Sequence, residues 1–161
     1  MEVAATIARA QSAANQGIRY KLGKGEMNPG SPTPAAGNQC DCTGFIAWCL
    51  GFSRRLEDQF YKNFNNGWFE TTAVWTDIGV NTGIMDPLNA PRPGAVVVFP
   101  DHNGHQGHIG LVTAVSSGNR ISKIIHCSKG NDNQFQDAIK ETGPQVFNTP
   151  NARLGWFVGL H

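Results

Sequence analysis

Residues 41 to 52 read Asp41-Cys42-Thr43-Gly44-Phe45-Ile46-Ala47-Trp48-Cys49-Leu50-Gly51-Phe52, an almost unbroken apolar run behind a single carboxylate. Aspartate caps helices by accepting their first free N–H groups, and an apolar run of this length with no polar stripe belongs inside a core. The stretch therefore predicts a buried helix opening at about Cys42. Upstream, Val3, Ile7, Ala10 and Ala14 recur at i, i+4, i+7 and i+11, the stripe of an amphipathic first helix over residues 3 to 16 that stops near Gly17. The intervening segment from Gly23 to Gly37, GKGEMNPGSPTPAAG, holds three prolines and four glycines and predicts an exposed loop.

Downstream the texture changes. After Pro91 come AVVVF, IGLVTAV, SKIIHCS and RLGWFVGL, short β-branched or aromatic segments divided by Gly, Asn and Ser, each a predicted strand. Ser53 to Asn89 is mixed and aromatic-rich, with room for one or two short helices. Helices first and strands afterwards is the α+β pattern, here one antiparallel sheet covered on one face by the early helices. The 161 residues fit a single domain, and 40% hydrophobic types are enough to build a core.

Charge narrows the function classes. Lys and Arg number 13, Asp and Glu 12, and charged residues are only 16%, so no electrostatic footprint for nucleic acid or an anionic membrane is present. The apolar runs fall short of the roughly 20 residues that a membrane helix needs, which predicts a soluble protein. Glu2 and Arg9 break the pattern of a signal peptide, so no export address is expected in this chain. Four cysteines, three of them within ten residues, do not resemble the staple framework of a small secreted domain.

The chemistry-bearing residues follow from these elements. A thiol is a strong nucleophile only as thiolate, and a helix N-terminus or a nearby imidazole lowers its pKa. Cys42 sits at such an N-terminus, where free backbone N–H groups can also receive an oxyanion. Cys49, two turns into the apolar run, reads as buried packing, while Cys40 fits either a loop thiol or a neighbour of the site. Cys127 and His126 are adjacent on a strand and face opposite sides. A matching base is expected from the sheet half. His108 begins a predicted strand and is held by it, whereas His105 lies between glycine-containing turns. His126, on the expected adjacent strand, can take the other ring N–H and orient the base, which makes a Cys42, His108, His126 triad.

Five segments in this order resemble the NlpC/P60 family of papain-like cell-wall cysteine peptidases. DCTGF at 41–45 resembles its D-C-S-G-F/L nucleophile motif, and GIRYKLG at 17–23 resembles its G-x-x-Y-x-x-G segment. PRPGAVVVF at 91–99 is similar to P-G-D-L-V-F-F, GHIGLVTAV at 107–115 to the H-V-G-I-Y-x-G segment that carries the base, and IIHCS at 124–128 to the strand with the third polar residue. Thr43 stands for the commoner Ser, Ala95 for the acidic residue, and 53–89 is an insert without a counterpart. The chain also resembles the amidase effectors of type VI secretion and CHAP-type phage lysins.

The resemblance implies a papain-like fold and cleavage of an amide bond in peptidoglycan stem peptides through an acyl-enzyme. It implies action on the cell wall, in the periplasm or outside, with no cofactor, and an immunity protein as partner if the chain is an injected effector. It assigns Cys42 as nucleophile, His108 as base, His126 as orienting residue and Tyr20 as a hydroxyl near the oxyanion, with Asp41 and Thr43 lining the site. Trp68 and Trp75 fit either the core or a surface on which a sugar or peptide stacks. A second drawing of the same residue types is a zinc-binding module or metallohydrolase using Cys40 and Cys42 with His102, His105 and His108, although no H-E-x-x-H or paired C-x-x-C accompanies them. A third is a catalytically dead binding domain on the same fold, told apart by whether Cys42 reacts.

Overall fold

A computed structural model describes all 161 residues. The order is α1 (Val3–Ser12), β1 (Arg19–Tyr20), β2 (Gln39–Cys40), α2 (Cys42–Cys49), α3 (Gln59–Asn65), α4 (Thr71–Val80), β3 (Met85–Pro87), β4 (Val96–Phe99), β5 (His108–Ser116), β6 (Arg120–Cys127), α5 (Lys129–Phe135), β7 (Ile139–Thr142), a 3-10 turn at Gln145–Phe147 and β8 (Arg153–Phe157). Strands β3 to β8 form one antiparallel sheet in the order β3-β8-β4-β5-β6-β7. The architecture is α+β, as expected.

Each sheet face has its own apolar layer, because side chains alternate along a strand. Val96, Val98, Ile109, Leu111, Ile125 and Cys127 join α1, α2 and α4 in the main core. Ala95, Val97, Val112 and Ile124 face the other way, under Phe147 of the 3-10 turn. All eight residues of α2 are buried, so this helix is held by what surrounds it on every side. Asp41 caps it by accepting the Gly44 N–H at 2.8 Å. Residue 44 has to be glycine, since a Cβ there would stand 2.8 Å from the Lys24 carbonyl oxygen of the loop that crosses the start of the helix.

Several boundaries differ from the expected ones. The first helix ends at Ser12, not 16, and residues 13 to 15 continue as a turn with Asn15 left-handed at φ 62°. The buried helix ends at Cys49, where Gly51 at φ 76° turns the chain. Residues 53 to 89 hold two helices and also β3, whose Pro87 sits on a sheet-edge strand where a missing N–H is tolerated. No helix is long and apolar enough to cross a membrane.

Candidate active site

Cys42 is the first residue of α2 and is 6% exposed. Asp41 takes only the Gly44 N–H among the opening amides, so the Cys42 N–H has no acceptor of its own and faces outward from the helix start. The Cys42 sulfur lies against β5, where the Ile109 N–H points at it. One compartment of a cleft opens beside this sulfur, lined by Tyr20, Gly23, Trp68, Glu70, Asp101 and Gln106 among others. A second compartment, which shares Tyr20, Gln106 and Gly107 with the first, is lined by His108, Ser128 and Lys129. Cys42 lines the first hollow and His108 the second, and Tyr20, Gln106 and Gly107 line both.

His108 and His126 are joined across adjacent strands, His108 Nε2 to His126 Nδ1, at 2.8 Å. Phe147 stacks on His108 with centroids 5.1 Å apart and ring planes 14° apart. Gly110 makes room for this, because a Cβ there would lie 2.9 Å from the Phe147 ring. The pairing uses Nε2 of His108 and leaves its Nδ1 without a partner. No hydrogen bond joins that atom to the Cys42 sulfur.

The electrostatics correct one expectation. The helix N-terminus does not lower the Cys42 pKa overall. Burial pushes the thiol up to about 12, the neighbouring Asp41 carboxylate adds to the rise, and the Ile109 N–H and Arg54 only partly oppose it. Burial, with the neighbouring His126 ring contributing, holds His108 down to about 3, and burial holds His126 down to about 4. The Cys42 thiol and both histidine rings are therefore uncharged at neutral pH.

These shifts make stability depend on acid. In the unfolded chain both histidines take protons near their ordinary 6.5, while the folded chain refuses them until far lower pH. Their contribution is whole above pH 6.5 and is lost as pH falls from there toward 4 and then 3. Thermal unfolding followed across this range is expected to show Tm falling below pH 6.5, and falling less steeply in His126→Gln. Equal slopes in the two proteins would contradict it.

Arg54, which nothing in the sequence singled out, is 3% exposed and forms the floor beneath Cys42. Its Nη2 donates to Asp41 Oδ2 at 2.8 Å and to Thr43 Oγ1 at 2.7 Å, its Nη1 reaches the Lys24 carbonyl, and the guanidinium lies 4.4 Å from the Trp68 ring centroid. Asp41 and Thr43 line the hollow beside Cys42, and their side chains serve this ion pair and the helix cap. Arg54→Met is expected to destabilise the fold by about 3–5 kcal/mol in urea unfolding, because it strands a buried carboxylate. Adding Asp41→Asn should recover much of that loss, and a single variant as stable as wild type would refute the role.

The remaining expected residues are placed as follows. Tyr20 lines both compartments, and burial together with the Cys42 and Asp41 charges raises its hydroxyl pKa, so it stays a donor. Trp68 lines the first compartment; Trp75 does not, its N–H being spent on the Asn151 carbonyl at 2.7 Å and its ring covered by Arg153. His102 and His105 bridge each other in an exposed turn. Cys40 is buried with its thiol on the Asp41 carbonyl, and Cys49 and Cys127 are buried as well. The zinc drawing is not assembled, since no group of three or more His, Cys, Asp or Glu is arranged to hold a metal ion.

Residues 32–131 match the model of the CHAP domain family. No curated protein matches the chain. Among solved structures it is similar to one titled "The crystal structure of Ly7917", with a TM-score of 0.53 at 10% sequence identity over 96% of this chain and 62% of that one. The chain therefore spans less than two thirds of that protein, and at this identity the likeness is one of fold.

Proposed function

The chain belongs to the CHAP domain family, papain-like cysteine amidases and peptidases of cell-wall hydrolases, and from that premise we propose that it cuts an amide bond of peptidoglycan stem peptides with Cys42 as nucleophile. The observation that carries this reading is that the hollow lined by Cys42 and the hollow lined by His108 share Tyr20, Gln106 and Gly107 as walls. We read residues 1–161 as one catalytic domain, since Ala10 of α1 and Ile139 of β7 share its main core.

In the proposed reaction the Cys42 sulfur attacks the carbonyl carbon as its proton passes to His108 Nδ1. The free Cys42 N–H and the Tyr20 hydroxyl donate to the oxyanion. Collapse breaks the C–N bond, the imidazolium gives its proton to the departing amine, and a thioester remains on Cys42. His108 then deprotonates a water that hydrolyses the thioester, releasing a carboxylate and restoring the thiol. His126 holds the ring of His108 throughout, and Trp68 offers the substrate a face beside the sulfur.

Two stem-peptide amides suit this machinery, the γ-D-glutamyl to diamino acid link and the muramoyl to alanine link. Digestion of purified peptidoglycan followed by mass spectrometry is expected to show new amine and carboxylate ends at one of them, with the glycan strands uncut. New reducing ends without new amines would sink the reading.

A further inference from the structure

We propose that Thr142 is a positioning residue that sets the proton arrangement of both histidines and so leaves His108 Nδ1 free to act as base, an inference that rests on the reading of His108 given above. Thr142 lies on β7, diagonal to His126 on the neighbouring strand and on the same sheet face, since Ile124 pairs with Thr142 and His126 with Lys140. Its Oγ1 stands 2.9 Å from His126 Nε2 and 3.0 Å from the Gly143 carbonyl oxygen.

A hydroxyl has one proton to give. The Gly143 carbonyl can only accept, so the Thr142 proton goes there and the lone pairs of Oγ1 face His126. His126 Nε2 must then carry the hydrogen of that contact. A neutral imidazole has one N–H, so His126 Nδ1 is a lone pair, and the hydrogen of the 2.8 Å bond to His108 belongs to His108 Nε2. The remaining nitrogen, His108 Nδ1, is left with a lone pair. If the chain ran the other way, Thr142 would donate to His126 Nε2, His126 Nδ1–H would donate to His108 Nε2, and His108 Nδ1 would already hold a proton and could not take one from the thiol. One hydroxyl three groups away from the sulfur thus decides whether the base is a base.

The test uses Thr142→Val, which keeps the β-branched shape of the strand residue and removes the hydroxyl, and Thr142→Ser, which restores it, with Thr142→Ala as a second deletion should the valine variant fold poorly. Nitrogen-15 NMR of the histidine rings at neutral pH, without substrate, reads the tautomers directly. Wild type and Thr142→Ser are expected to show both rings as Nε2–H, and the deletion variants a mixture. With a peptidoglycan fragment, kcat of the deletion variants is expected to fall by about 10- to 100-fold, a part of the acid–base contribution, with KM little changed. A wild-type His126 in the Nδ1–H form, unchanged tautomers in the deletion variants, or a tautomer mixture with unaltered kcat would each overturn the proposal. Full activity of His108→Ala would instead overturn the assignment of the base, and because the tautomers are read without substrate the two failures are distinguishable.

Discussion

Cys42→Ala is expected to fold like the wild type and to lose hydrolysis of peptidoglycan by a factor on the order of 10⁴ or more, the scale seen when the nucleophile of an acyl-transfer enzyme is deleted. The fold should tolerate the change because only the sulfur is lost, at the rim of a cleft, while the cap from Asp41 to Gly44 and the Arg54 pair do not involve the thiol. Cys49→Ala is the control. That thiol is wholly enclosed in the main core, so its loss should leave turnover intact and cost on the order of 1 kcal/mol in unfolding. Circular dichroism and turnover on a peptidoglycan fragment decide between them, and a fully active Cys42→Ala would end the thiol mechanism.

His108→Ala should come close to the same loss. It would remove the group that in the proposed reaction takes the thiol proton and returns it to the amine, worth about 10²- to 10⁴-fold for the acid–base contribution. In the proposed reaction His126 acts through His108, so His126→Ala should be impaired but not dead. His126→Asn or His126→Gln should recover part of the rate, since an amide oxygen can accept the His108 Nε2–H. His105→Ala, in an exposed turn, should change little. If His105→Ala were the dead variant and His108→Ala the active one, the base would have been assigned to the wrong histidine.

The helix at Cys42 and the strands at His108 and His126 were legible because each is marked by strong local chemistry: a capping acid before an apolar run, and β-branched residues bounded by turns. That same alternation told His126 from Cys127, which the structure places on opposite faces. What stayed hidden depends on contacts between distant residues. Lys129–Phe135 has no apolar stripe and forms a helix through the Ser128 cap and through Asn131, whose side chain bonds the His126 and Ala138 carbonyls. Ile139–Thr142 is too short to show a period, and Arg54, beside Arg55, looks like solvated surface until Asp41 is seen folded against it. The thiol pKa is raised for the same reason, since burial and the Asp41 charge are contacts that only the folded chain creates.

The most direct test treats the protein with limiting iodoacetamide and, sample by sample, compares the remaining peptidoglycan amide hydrolysis with the alkylation of Cys40, Cys42, Cys49 and Cys127 mapped by mass spectrometry. Activity is expected to fall in proportion to carbamidomethyl Cys42 and to be indifferent to the other three. Activity that survives complete modification of Cys42, or that instead tracks one of the other cysteines, would contradict it.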